Sequence, residues 1–295
     1  GAALGIIPGS QIEKILLPEG PSTVTAGNIS TFLVGKQNSA ITVNLKGTEI
    51  GVKSNGTAND TINLKQTTTK WTGEFQAKNM GNNGTGATEA IISDMTKYLK
   101  HDISIDLSQG SDTIKGTNGN DALFLQNFGT TGDSLFYQEA GGTAGNPRLS
   151  GITTINLLEG NNFLDLTSTS TSLAGEDIVI TAGTGDDILW LSDADENVNT
   201  GNGNDQITIN GGTDILTTSL GNDIITISPN TGFLTIADFD ISADKLIFHA
   251  PANKVTLLSS GNQLQVDHDS PLGDYTITFS DSPDLSNLAA FCTFL

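Results

Sequence analysis

The fold is decided between Ala182 and Thr226, where GTGDDILWL begins at Gly183, GNGNDQITI at Gly201 and LGNDIITI at Leu220. The last acidic residue of each turn falls at Asp187, Glu196, Asp205, Asp214 and Asp223, a step of nine residues throughout. Two positions beyond each acid stands an aliphatic residue: Leu189, Val198, Ile207, Leu216 and Ile225. Such a period describes a coil of alternating turns and short strands. About six residues reverse the chain, and a three-residue strand sends its central side chain into a narrow core. Glycine permits the positive φ and close backbone approach that so tight a turn requires. A single Asn-Gly or Asp-Gly cluster marks an ordinary turn. Five units in register set this run apart.

The units follow G-G-x-G-x-D-x-U-x and resemble the RTX (repeats-in-toxin) family of calcium-binding nonapeptide proteins. The resemblance implies a parallel β-roll in which two nonapeptides make one coil, so that turns eighteen residues apart stack. Carried onto this chain, Asp187, Asp205 and Asp223 share one edge, and Glu196 and Asp214 share the other. Calcium takes six to eight oxygen ligands, carboxylate and carbonyl alike. It is expected between Asp187 and Asp205 and between Asp205 and Asp223. Carbonyls of Gly183, Gly185, Gly201, Gly203 and Gly221 would complete the shells. The second edge departs from the pattern, with Ala194 for a glycine and Glu196 for an aspartate, and is expected to be the emptier one.

Composition bounds the partners. The 295 residues carry a formal net charge of −20, which disfavours nucleic acid and anionic membranes. Only 16% of residues are charged, so the acidity reflects scarce Lys and Arg, not a disordered acidic tail. The 34 glycines suit many turns and short strands. A single cysteine, Cys292, excludes an internal disulfide, and its apolar surroundings suggest an inert buried thiol.

Outward from the central run, the expected organisation is all-β: a parallel β-roll or β-helix of nonapeptide coils, with flanking β segments and one short helix. Residues 1–100 read as a β-rich region in which TEAIISDMTKYLK places Ile91, Ile92, Met95, Tyr98 and Leu99 at helical spacing. Asp60, in NGTANDTINL, is an isolated repeat-like unit lacking its second glycine and is read as a structural turn. Residues 82–88 read as a loop. Residues 101–248 read as the roll. It starts at Asp112 and Asp121, nine apart on opposite edges; both, with Gly119, are cation candidates, and Asp121 is the better of the two acids. The rhythm fails near 126–150, which reads as an insertion, and Asn162 then stands where an acid belongs. The cluster Asp238, Asp240 and Asp244 reads equally as one more ion site or as solvated turn acids. Residues 249–295 read as a closing β unit, and the apolar end SPDLSNLAAFCTFL resembles the uncleaved type I secretion signal of RTX proteins.

Catalytic signatures are lacking. There is no H-E-x-x-H and no G-x-S-x-G, and His101, His249 and His268 have no ligand spacing to one another. Together with this lack of catalytic motifs, the RTX resemblance of the repeat and tail implies a non-enzymatic, calcium-folded structural protein, secreted to the bacterial cell surface by type I machinery. Surface-layer or matrix type and self-association are implied. Two alternatives stay open: the C-terminal calcium-folding and secretion domain of a hydrolase or toxin, and an adhesin binding surface glycan, other carbohydrate or ice. The last is motivated by a ladder at Thr167, Thr169 and Thr171.

Overall fold

Inward aliphatics at every second strand position build the molecule. Leu189, Ile207, Ile225 and Leu246 stack from one side, and Val198, Leu216 and Leu234 meet them from the other, all at most 1% exposed. The computed structural model describes residues 3–5, 14–16, 22–26, 32–35, 40–45, 49–54, 57–64, 66, 68, 70–71, 75–77, 90–92, 94–107, 110–125, 149–168, 171–228, 232–249, 255–268, 274–281 and 283–294. Among these the chain is an all-β parallel solenoid. A front sheet of thirteen strands runs from Ala3–Gly5 to an antiparallel closing unit that ends it at Val255–Ser260. A back sheet of seven strands runs from Ala122–Phe124 to Cys292–Phe294, and a third sheet of five strands serves the N-terminal coils.

Register fixes the coil length. Ile188–Trp190 pairs in parallel with Gln206–Ile209, and that strand with Ile224–Ile227, each step being eighteen residues. The same winding extends into the first hundred residues, where Thr23 pairs with Thr42 and Thr42 with Thr61, steps of nineteen. The strand Thr61–Asn63 then pairs directly with Thr113–Lys115. The front sheet therefore continues while the intervening chain makes a detour.

That detour forms a lid. The strand Phe75–Ala77 pairs antiparallel with Ala90–Ile92, and Met95–Lys97 makes one 3-10 turn. The expected helix near 88–100 is thus corrected to a strand followed by a single tight turn. Ile91 and Ile92 carry branched Cβ atoms that favour the extended backbone. Asp94, itself extended, accepts a hydrogen bond from the Thr96 N–H and so begins the turn locally. The turn caps no coil end. It lies over the outer side of the back sheet, where Trp71, Met95, Tyr98, Ala122, Phe124, Phe163 and Trp190 form a second core. The rings meet edge to face: Trp71 on Phe124 at 5.8 Å, Phe124 on Phe163 at 5.5 Å, and Phe163 on Trp190 at 4.8 Å.

The apolar C-terminus is the last rung. Cys292–Phe294 pairs in parallel with Lys245–Phe248, and the Phe294 ring stacks on Phe248 at 5.5 Å. The loop read at 82–88 and most of the insertion read at 126–150 lie outside the described residues.

Candidate metal site

Each turn delivers its acid to the rim of the core, because the acid sits two positions before an inward aliphatic and so points the same way. Asp187, Asp205 and Asp223 are each fully buried and stack along one edge. One oxygen of each has a structural task. The Asp187 N–H donates to Asp205 Oδ1 at 2.9 Å, and the Asp205 N–H donates to Asp223 Oδ1 at 2.8 Å. The column runs further than the repeat. The Asp223 N–H donates to Asp244 Oδ1 at 3.0 Å, the Asn162 N–H to Asp187 Oδ1 at 2.6 Å, and the Asp121 N–H to Asn162 Oδ1 at 2.9 Å. On the other edge, the Glu196 N–H donates to Asp214 Oδ1 at 3.0 Å.

The second oxygens distinguish the members. Oδ2 of Asp112, Asp187, Asp205, Asp214 and Asp223, and Oε2 of Glu196, are buried without a hydrogen-bond partner. A buried carboxylate oxygen with no partner is costly. Burial accordingly pushes Asp187 and Asp223 up to about 7 and Asp205 and Asp112 to about 6. Asp214, buried and facing the Glu196 charge, is pushed to about 9, and burial raises Glu196 as well.

Glycine stacking supplies the other half of the site. Gly185 has φ +138°, and a Cβ added at Gly203 or Gly221 would overlap the carbonyl oxygen of the glycine one coil below, Gly185 or Gly203. Gly201 stands over Gly183 in the same way. The added Cβ at Gly221 would also lie 3.0 Å from Asp223 Oδ1. Glycine at these positions therefore lets successive turns stack in backbone contact, the carbonyl oxygen of one coil against the Cα of the next, with the carboxylates beside them.

Other candidates fall differently. Both Asp121 oxygens are engaged: Oδ1 with His101 Nε2 at 2.7 Å and the Thr117 hydroxyl at 2.9 Å, Oδ2 with the Thr117 N–H at 2.6 Å. Gly119 lies beneath Gly160 in the stack. Asn162 keeps the column intact by offering Oδ1 to the Asp121 N–H of the coil below and donating its Nδ2 to the Gly160 carbonyl at 2.9 Å. Asp238, Asp240 and Asp244 do not converge: Asp238 accepts from the Thr218 and Ser219 N–H groups, Asp240 from Ser242, and Asp244 from Asp223 and Asp240. Of the threonine ladder read at 167–171, two members are described. Thr167 is buried and bonded to Asp165, the Thr171 N–H donates to Ser168 Oγ within the same loop, and Thr169 lies outside the described residues.

Sequence reading missed two members of the columns. Asp244 follows Asp223 by twenty-one residues, not eighteen. Asp60 accepts the Ile41 N–H at 2.7 Å and stacks against Asp112 across a gap of fifty-two. Among the described residues no three His, Cys, Asp or Glu side chains converge on one point. Any ion would therefore need backbone oxygens, which calcium accepts and zinc does not favour. No family model matches the chain, and the search of curated proteins found no match.

Proposed function

We propose that the chain is a calcium-binding structural protein of the bacterial exterior, of surface-layer or matrix type, which folds when calcium is supplied. The observation that carries the reading is the set of buried carboxylate oxygens without partners, stacked coil on coil beside glycine carbonyls. Asp187, Asp205 and Asp223 with the carbonyls of Gly183, Gly185, Gly201, Gly203 and Gly221 would hold ions on one edge. Glu196 and Asp214 would hold them on the other.

Bound calcium supplies positive charge where burial makes negative charge expensive. The chain's own residues do the rest: Oδ1 atoms hold the coils in register, and the glycines let successive turns stack closely enough to bring their carbonyl oxygens beside the acids. Ligand that binds only the folded state stabilises it by RT ln(1 + [L]/Kd), about 2.7 kcal/mol per site at a hundredfold excess over Kd. At cytosolic calcium the columns repel and the chain stays extended for export. At millimolar external calcium it folds. Export by type I machinery and self-association into a lattice follow from the RTX resemblance of the repeat and tail.

A calcium titration followed by far-UV circular dichroism and light scattering tests the reading. β content is expected to rise with calcium, and scattering to rise at or above the same concentration. Full β content in EDTA, unchanged by calcium, would overturn it.

One observation favours an adhesin-type second reading. On the outer side of the front sheet Thr23, Thr42, Thr61, Thr113 and Thr154 stand in register on five adjacent strands, Thr23 exposed and the rest half-exposed. A periodic hydroxyl column suits a periodic polar ligand, and retention on ice or on insoluble polysaccharide would measure it. No retention on either dismisses that reading.

A further inference from the structure

We infer that the turns at 57–60 and 110–112 form a further cation site outside the nonapeptide run, closing the coil that carries the aromatic lid; this rests on the calcium reading above. Asp60 and Asp112, 1% and 0% exposed, are fifty-two residues apart in sequence and adjacent in space.

Their contacts repeat those of Asp187 and Asp205 one for one. The Asp60 N–H donates to Asp112 Oδ1 at 2.6 Å, as the Asp187 N–H does to Asp205 Oδ1 at 2.9 Å. The Thr113 N–H donates to the Asp60 carbonyl at 2.9 Å, as the Gln206 N–H does to Asp187 at 2.8 Å. One position earlier, Asn59 Oδ1 accepts the Ser111 N–H at 3.0 Å, as Asp186 Oδ1 accepts the Asn204 N–H at 2.8 Å.

The glycine stacking is rebuilt too. Gly110 has φ +139°, matching Gly185 at +138°. A Cβ at Gly110 would lie 2.6 Å from the Ala58 carbonyl oxygen and 3.1 Å from Asp112 Oδ1, so the two turns stack in backbone contact beside the acid, as Gly221 stacks on Gly203 beside Asp223. Asp112 Oδ2 is buried with no partner, and no lysine or arginine pairs with either acid among the described residues. The chemistry is that of a hard divalent cation bound by carboxylate and carbonyl oxygens. Ala58 in place of glycine and the long separation hide the site from a search for a nine-residue period.

Its position gives it a task the consensus sites lack. The two acids tie together the ends of the segment whose middle forms the lid. The chain's two tryptophans, Trp71 and Trp190, both lie at the lid contact, 1% and 4% exposed, so tryptophan emission reports lid docking separately from sheet content.

The test uses the full chain with calcium and with terbium as a calcium substitute. In wild-type crystals soaked with terbium, an anomalous peak beside Asp112 Oδ2 is expected in addition to peaks at the 183–223 turns. In solution, Asp112→Asn keeps the Oδ1 acceptor, as Asn162 does, and is expected to bind one calcium fewer. Its tryptophan transition should move at least tenfold upward in calcium while the circular dichroism midpoint holds. Peaks confined to the 183–223 turns, or an Asp112→Asn chain with wild-type stoichiometry and midpoints, overturn this inference and leave the calcium reading standing. No peak at any turn overturns both.

Discussion

Asp205→Asn should stabilise the metal-free chain and destabilise the calcium-loaded one. Asp205 sits in the middle of the longest column: its Oδ1 accepts the Asp187 N–H, its own N–H donates to Asp223, and its Oδ2 has no partner. An asparagine can hold that place, because Asn162 already does so in the same column. What changes is the charge. Burial pushes the Asp205 carboxyl from 3.8 to about 6. About two units at 1.36 kcal/mol each makes the ionised side chain cost ~3 kcal/mol in the metal-free fold above pH 6. A neutral amide avoids that cost, so in EDTA at pH 8 the variant should gain up to ~3 kcal/mol. Because a raised folded pKa favours the fold only at low pH, the gain should vanish near pH 4. In millimolar calcium the order should reverse, the variant losing about 2.7 kcal/mol for each ion no longer held at a hundredfold excess over Kd. Circular dichroism measures both signs: in EDTA, through the concentration of a folding osmolyte needed to bring each chain to its β content, and in calcium, through guanidinium unfolding. Equal destabilisation in the two conditions would refute the reasoning and leave Asp205 a purely structural member of the ladder.

Three further outcomes follow from the same geometry. With EDTA present, the wild-type β content should fall as pH rises from about 4 to 7, since Asp187, Asp205, Asp223 and Asp112 all have folded values raised above the unfolded one; circular dichroism that stays flat across that range would contradict this. Gly203→Ala places a methyl against the Gly185 carbonyl and should cost more than the ~1 kcal/mol swing of an ordinary glycine substitution, read as a lowered midpoint in calcium. Ile207→Ala, at a core position 1% exposed, should cost roughly 2–5 kcal/mol in calcium, measured by the same denaturant unfolding.

The nine-residue beat made the roll and its two edges legible, because five unbroken units fix both the turn chemistry and the inward positions from Leu189 to Ile225. Legibility ended where coil length or spacing changed. The N-terminal coils step by eighteen or nineteen residues and carry few glycine turns, so their continuity with the roll shows only in the register of Thr42 with Thr61 and Thr113. Asp60 and Asp112 are parted by the lid, and Asp244 by a coil three residues longer than its predecessors. The lid itself left a signal that periodicity does not weigh. In ALFL, FLDL and ILWL the strands carry large apolar groups on both faces, Phe124, Phe163 and Trp190 pointing away from the main core. A strand apolar on both sides is covered on both sides. Ile91, Ile92 and Met95 fall at helical intervals, so periodicity alone reads this cover as a helix.

Equilibrium dialysis against calcium, counting ions bound per chain, tests the central claim most directly. Several ions per folded chain are expected, with at least two lost together when Asp187, Asp205 and Asp223 are all replaced by asparagine. A folded wild-type chain that binds none at millimolar calcium would contradict it.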